Sequence, residues 1–161
     1  MEIWDLVDEN GCPVNITWER NACENIPVGL YHPCVEVWVK VGDKLLITQR
    51  HPEKSEPLKF DLPGGAVVSG EDVFVGALRE LYEEVGISAS ADSLIKLGER
   101  AMGNVYAVSY LLPLSELPVL SLQETEVVGY RLVDREEFEA LSSEITRGTR
   151  HRYFLYQDKI F

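Results

Sequence analysis

The sequence predicts an α/β (α+β) layered domain around a mixed β-sheet, and three observations carry that expectation. Runs with strand-like alternation or β-branched content recur along the chain: CVEVWVKV, LLITQR, NVYAVSYLLPL and VVGYRLV. Two segments of helical character, near residues 70–85 and 134–143, are interleaved with them. No composition shift, repeat or low-complexity tract marks a second unit. The 161 residues therefore read as a single domain, residues 1–161, long enough to bury a core.

Taken in order, IWDLVDENGCPVNITWER suggests two short strands around Asn10-Gly11, an N-terminal β-hairpin over about residues 1–20. NIPVGLYHP leads into a stronger pair, CVEVWVKV and LLITQR, joined at Gly42-Asp43. HPEKSEPLK is polar and proline-bearing, a loop. FDLPGGAVVSG is a short extended piece that ends in a glycine-rich turn. The clearest helix runs from about Gly70 to Val85. Ser69 is the expected N-cap, Asp72 stands at capping-box spacing, and Gly86 suits a left-handed stop. Phe74, Leu78, Leu81 and Val85 form its expected core stripe. SLIKLGER, NVYAVSYLLPL and VVGYRLV follow as strands, and Asp134 opens a short helix, DREEFEALSS. The tail, TRHRYFLYQDKIF, suits helix and extended structure equally.

The charge balance narrows the function classes. A formal net charge of -12 and a pI near 4.6 argue against non-specific nucleic-acid binding, because polyanions repel such a surface. A small anion can still be held by a local cation or by divalent metal. Cys12, Cys23 and Cys34 are odd in number and lack CxxC spacing, which fits reduced thiols in the cytoplasm better than disulfides or zinc. The start, MEIWDLVDENG, is acidic and has no signal-peptide pattern, and no apolar run approaches a membrane span.

One stretch is electrostatically odd. RELYEEVGI, residues 79–87, crowds Glu80, Glu83 and Glu84 onto one helix. With Phe74 at zero, these three fall at about 240°, 180° and 280° on a 100°-per-residue wheel, away from the expected core stripe. Like charges three and four residues apart destabilise a helix by a few tenths of a kcal/mol. Their place near the negative end of the helix dipole adds to this. Only Arg79 supplies local positive charge. A divalent cation relieves the crowding, since Mg²⁺ takes hard oxygen ligands between carboxylates and phosphates. Solvent screening of an acidic face is the plainer alternative.

The spacing around the glutamates separates these readings. GAVVSGEDVFVGALRELYEEVGI, residues 65–87, resembles the Nudix box: glycine, five residues, glutamate, seven residues, then R-E-aliphatic-x-E-E-x-G-aliphatic. Gly65, Glu71, Arg79, Glu80, Leu81, Glu83, Glu84, Gly86 and Ile87 meet every specified position. The resemblance runs over about residues 32–142. It implies an α/β/α sandwich around a mixed sheet. It also implies Mg²⁺- or Mn²⁺-dependent hydrolysis of a nucleoside diphosphate linked to another moiety, a small-molecule substrate.

On that resemblance Glu83 and Glu84 are metal ligands, Glu80 is a further ligand or the general base, and the Gly65 carbonyl completes the shell. Glu71 and Gly86 support the loop-helix-loop, and Arg79 is a catalytic residue or, paired with the box, a further support of that loop. The family often recruits one more carboxylate from outside the box, and Glu124 and Glu126 are equal candidates. Arg50, after a strand, is a candidate for a substrate phosphate or a solvated arginine. His32, His51 and His151 are isolated and read as packed or surface histidines. Trp4, Trp18 and Trp38 read as packing residues.

WDLVDENG and YHPCVEVWV also resemble the N-terminal region of isopentenyl-diphosphate isomerases, where His32 falls near a metal histidine. DLPGGAV lacks the cysteine and histidine those enzymes need there. A non-catalytic nucleotide-binding module is the third reading, and the intact glutamates weigh against it. Substrate identity and oligomeric state, a homodimer included, are not written in the box.

Overall fold

A computed structural model describes all 161 residues. Its backbone is a seven-stranded mixed sheet with helices on both faces, and a separate hairpin at the N-terminus. The hairpin pairs β1 (Ile3–Val7) with β2 (Pro13–Glu19) in antiparallel register, turning through Gly11 at φ +77°.

The centre of the sheet is β3 (His32–Val41), which runs parallel to β8 (Val105–Leu114) from His32↔Val105 to Val41↔Leu114. Both strands are rich in buried apolar residues because both faces are covered. Val35, Val37 and Val39 face one core with Leu46, Tyr106, Val108 and Leu81. Trp38 faces the other with Leu45, Ile47, Phe138 and Tyr153. β7 (Ile95–Met102) extends the sheet beyond β8. On the other side β4 (Lys44–Arg50) meets β3 only at Lys40↔Leu45 and Val41↔Lys44. Farther along, β5 (Phe60–Asp61) pairs with β4 and β6 (Gly64–Ala66) pairs with β3. The chain from 60 to 66 is thus inserted where β3 and β4 part. β9 (Val127–Val133) pairs with β4 along its length.

Helix α1 (Val73–Val85) covers the valine face of β3. Helices α2 (Arg135–Ala140) and α3 (Arg147–Ile160) cover the Trp38 face. The expected sandwich is present. Asp134 opens α2 with a full capping box, as its sequence suggested. The ambiguous tail is helical: Thr149, Tyr153 and Ile160 are buried at helical spacing. No helix is long and apolar enough to cross a membrane.

Two expectations for α1 are corrected. Its N-cap is Asp72, whose side chain accepts from the Phe74 N–H, and not Ser69. Gly70 sits at φ +79°, outside helical space, and the Ser69 hydroxyl donates instead to Asp5 at 2.6 Å. The buried face comprises Gly76, Ala77, Leu81, Glu84 and Val85, while Phe74 and Leu78 are half-buried. That face centres near 300° on the wheel used above, about 60° from the expected stripe. Glu84, assigned to the outward acidic arc, lies inside it.

Candidate functional site

The site is assembled where β6 meets β3. Gly64 lies opposite Glu36 and Gly65 opposite Val35. A Cβ on Gly64 would stand 2.2 Å from the Val35 carbonyl oxygen, so only glycine permits this approach. A Cβ on Gly65 would stand 2.6 Å from the Glu80 carboxylate. The two glycines bring backbone directly beneath the glutamates of α1, and the Gly64 N–H donates to Glu84 at 3.1 Å.

Arg79 organises the rest of the box. Its Nε and Nη2 donate to the two oxygens of Glu71 at 2.7 and 2.9 Å, and Nη2 also reaches the Ala66 carbonyl at 3.0 Å. Its Nη1 donates to Glu80 at 2.8 Å and Glu83 at 3.1 Å. The fork geometry of guanidinium allows this multiple grip. Its hydrogen bonds hold the Glu71 carboxyl below the usual range. Burial pushes Glu80 upward, against the pull of Arg79. Glu84 is only 5% exposed, and burial drives its carboxyl up to about 8 despite Lys54 and the Gly64 N–H.

The loop after α1 delivers a further carboxylate. Helix-terminal carbonyls need partners, and here the Ser121 and Gln123 N–H groups donate to Val85 and Glu84 carbonyls. Gly86, at φ +75°, ends the helix so closely against Ser121 that a Cβ would clash at 2.9 Å. The chain then places Glu126 beside Glu84, and both line one small cavity with Arg50, Lys54, Asp61 and Thr48. Lys54 donates to Glu126 and lies 3.9 Å from Glu84.

The structure sets Glu80 against Gly65, joins Glu80 and Glu83 through Arg79, and places Glu126 on one cavity with Glu84. It does not bring in Glu124, which is exposed. Arg50, the candidate for a substrate phosphate, is held by Asp61 at 2.8 Å and by the Ser55 carbonyl and hydroxyl. Asp61 also accepts from Thr149 and Thr146, which ties α3 to the site. Lys54, Asp61 and Gly64 were missed in the sequence. Lys54 sits in a loop without periodicity; Asp61 precedes the noticed LPGG run and Gly64 lies inside it, and neither matches a spacing rule.

A second charge network lies on the α3 side. Glu36 is buried and accepts from Ser109 at 2.6 Å, Trp38 at 3.0 Å and Arg152 at 2.7 Å. Burial pushes its carboxyl up, and Arg152 and Ser109 oppose this. His32 is a packed histidine, as expected: it stacks on Trp4 with centroids 4.0 Å apart, and burial lowers it to about 4. Burial pushes the neighbouring Cys34 thiol up to about 12. A roomier cavity of about 440 Å³ between hairpin and box loop is lined by Glu71 but by none of Glu80, Glu83, Glu84 or Glu126.

The donor chemistry fits a hard divalent cation: carboxylate oxygens around two glycines whose backbone is within reach. In this side-chain arrangement no three acidic, His or Cys groups converge to hold a metal ion. Arg79 occupies Glu80 and Glu83, and Lys54 occupies Glu126 and approaches Glu84.

Comparison with known proteins agrees with this geometry. Residues 30–156 match the model of the NUDIX domain. An uncharacterized Nudix hydrolase of Listeria monocytogenes is 32% identical over 150 residues, covering 89% of this chain and 86% of its own. A crystal structure from Deinococcus radiodurans, DR0079, superposes with a TM-score of 0.76 at 22% identity, covering 96% of this chain and 99% of that one. A bifunctional NMN adenylyltransferase/ADP ribose pyrophosphatase of Francisella tularensis, complexed with AMP and Mn ion, gives 0.71 at 17% identity over 88% of this chain and 45% of its own. With the box complete, the sandwich in place and the family model spanning most of its length, the chain belongs to the NUDIX-domain family and is a Nudix hydrolase.

Proposed function

We propose that this protein hydrolyses the diphosphate of a nucleoside diphosphate linked to another moiety, with Mg²⁺ or Mn²⁺ as cofactor, as a single domain acting on a small molecule in the cytoplasm. The observation that carries the reading is the geometry of the box loop: Glu80 packs on Gly65, Glu84 accepts from the Gly64 N–H, and Glu126 lines one cavity with Glu84. Glu84, Glu83 and the Gly65 carbonyl would hold the metal, with Glu80 as ligand or base. Glu126, rather than Glu124, supplies the carboxylate from outside the box. When bound, the metal supplies charge neutralisation of the diphosphate and a lowered pKa for the attacking water.

The chain's own residues do the remaining work. Arg79 aims Glu80 and Glu83 and keeps Glu71 against the box loop, a positioning role. Gly64 and Gly65 let the backbone approach without steric contact. Arg50 is braced by Asp61 on the same cavity, so its cationic face is available to substrate only as an already oriented group. The Mn ion and the ADP ribose pyrophosphatase activity named for the Francisella protein support this class of reaction.

The test is a screen of nucleotide sugars, dinucleotides and nucleoside triphosphates with Mg²⁺ and Mn²⁺, with products identified. Metal-dependent release of a nucleoside monophosphate is the expected result. Silence across the panel, with folded protein, counts against the proposal. Glu83→Gln should abolish turnover.

A further inference from the structure

The cation paired with Glu84 and Glu126 belongs to the protein itself. Lys54 reaches in from the loop of residues 51–59, bonds Glu126 and lies 3.9 Å from Glu84 Oε1. The cavity these groups line measures about 20 Å³, room for one water or one bare ion. We propose that Lys54 is a tethered counter-cation: its ammonium group takes the place between Glu84 and Glu126 that the divalent metal takes in turnover, and the loop of residues 51–59 undocks as metal binds. The assignment of these carboxylates to metal rests on the hydrolase reading; the exchange itself rests on the position of Lys54.

Three features point the same way. Glu84 and Glu126 line one small cavity, and ionising both with no cation beside them is costly, which Lys54 offsets in the metal-free protein. A metal held between these carboxylates would stand directly against the Lys54 ammonium, and repulsion between the two cations drives the ammonium out. The loop also carries strain. Glu56 and Leu58 adopt φ of +49° and +62°, a region that side-chain-bearing residues rarely enter. Such backbone persists only where contacts impose it. Here the contacts include Lys54 to the carboxylates, Arg50 to Ser55, Gln49 to the Leu58 carbonyl, and Glu56 to Lys59 and the Arg147 N–H. Removing the Lys54 anchor releases part of that constraint.

The experiment measures Mn²⁺ affinity by the resonance of the free ion, together with hydrogen exchange of residues 51–59, for wild type, Lys54→Met and Lys59→Met. Lys59 shares the loop and its charge but not the cavity; its pair with Glu56 is partly solvent-exposed, and Glu56 keeps the Arg147 N–H without it. Lys54→Met should bind Mn²⁺ about tenfold more tightly, equivalent to about 1.4 kcal/mol, and Lys59→Met should bind as wild type. In wild type, Mn²⁺ should speed exchange in the loop; in Lys54→Met the loop should exchange fast with or without metal. Equal or weaker Mn²⁺ affinity in Lys54→Met, or a wild-type loop insensitive to metal, overturns the exchange and leaves the hydrolase reading intact. Absence of Mn²⁺ binding in all three proteins overturns both.

Discussion

Gly64 and Gly65 are neighbours in sequence, yet an alanine at each should fail in a different way. At Gly64 the new Cβ would lie 2.2 Å from the Val35 carbonyl oxygen and 2.8 Å from the Glu36 Cα. Both are backbone of the central strand and cannot give way. β6 must leave β3, and the Gly64 hydrogen bond to Glu84 goes with it. Overpacking of this kind costs about 3 kcal/mol, which is a fall of about 10 °C in Tm for a domain of this size.

At Gly65 the contact is with the tip of a side chain, the Glu80 carboxylate at 2.6 Å. Restoring an ordinary separation of 3.4 Å needs a shift of about 0.8 Å, which Glu80 can make by rotating. Gly65 is not in positive-φ space, so alanine itself is unstrained. Stability should change by less than about 1 kcal/mol. Misplacing a group of the reacting site by about 1 Å costs about 100-fold in rate. The assay is a thermal melt of each variant, then Mn²⁺ affinity and kcat on whichever substrate the panel identifies. Gly64→Ala should melt low; Gly65→Ala should melt near wild type with weak metal binding and about 1% activity. A Gly65→Ala protein that is fully active, or one that unfolds as readily as Gly64→Ala, refutes the proposed packing of Glu80 on the box loop.

Arg79→Lys should keep the charge and lose the fork to Glu71, Glu80 and Glu83, lowering Tm by roughly 3–6 °C and metal affinity with it; calorimetry checks both. Glu84→Gln should raise the Tm of the metal-free protein at pH 7 by a few degrees, because the amide is neutral without the proton uptake that burial imposes on Glu84, while Mn²⁺ titration shows weakened binding. His32 gives the pH dependence. Its folded value is lowered to about 4 from 6.5, so the unfolded chain binds more protons between those limits. Its contribution is complete above pH 6.5 and falls away as pH drops toward 4, by about 3 kcal/mol in all. Denaturant melts from pH 7 to 4 should show that slope, and His32→Phe, which keeps a ring against Trp4, should flatten it.

The sheet and the box were legible because local rules govern them. Alternation marked β3 and β8, Asp134 marked α2, and the box spacing located every glutamate of α1. What sequence did not show has a common cause: it depends on how distant segments meet. The stripe on α1 was misplaced because the wheel weighs residues by polarity, while the packing that buries Glu84 is set by the Gly64–Gly65 backbone across from it. Ser69 looked like a cap until Asp5, 64 residues earlier, took its hydroxyl. Glu126 could not be told from Glu124 because only their place on the loop behind α1 distinguishes them. Lys54 carried no periodicity at all, and its partners lie 30 and 72 residues away.

The distribution of cations explains how so acidic a protein keeps a folded, anion-directed site. With a net charge of -12, few of its 15 basic residues can be spared. Arg50, Lys54, Arg79 and Arg152 all pair with a carboxylate at or beside the β3–β6 junction, and each is at least two-thirds hidden from solvent at its side chain. Pairs so placed are screened far less than surface ones. They are also short of free energy to give, because desolvation offsets much of their attraction. That balance suits a site that must change partners. Arg79 makes several hydrogen-bonded contacts from α1, and Arg152 grips the buried Glu36 from α3; together they hold the frame. Lys54 has one close partner and stands on a strained loop, so it is the cation whose displacement costs least.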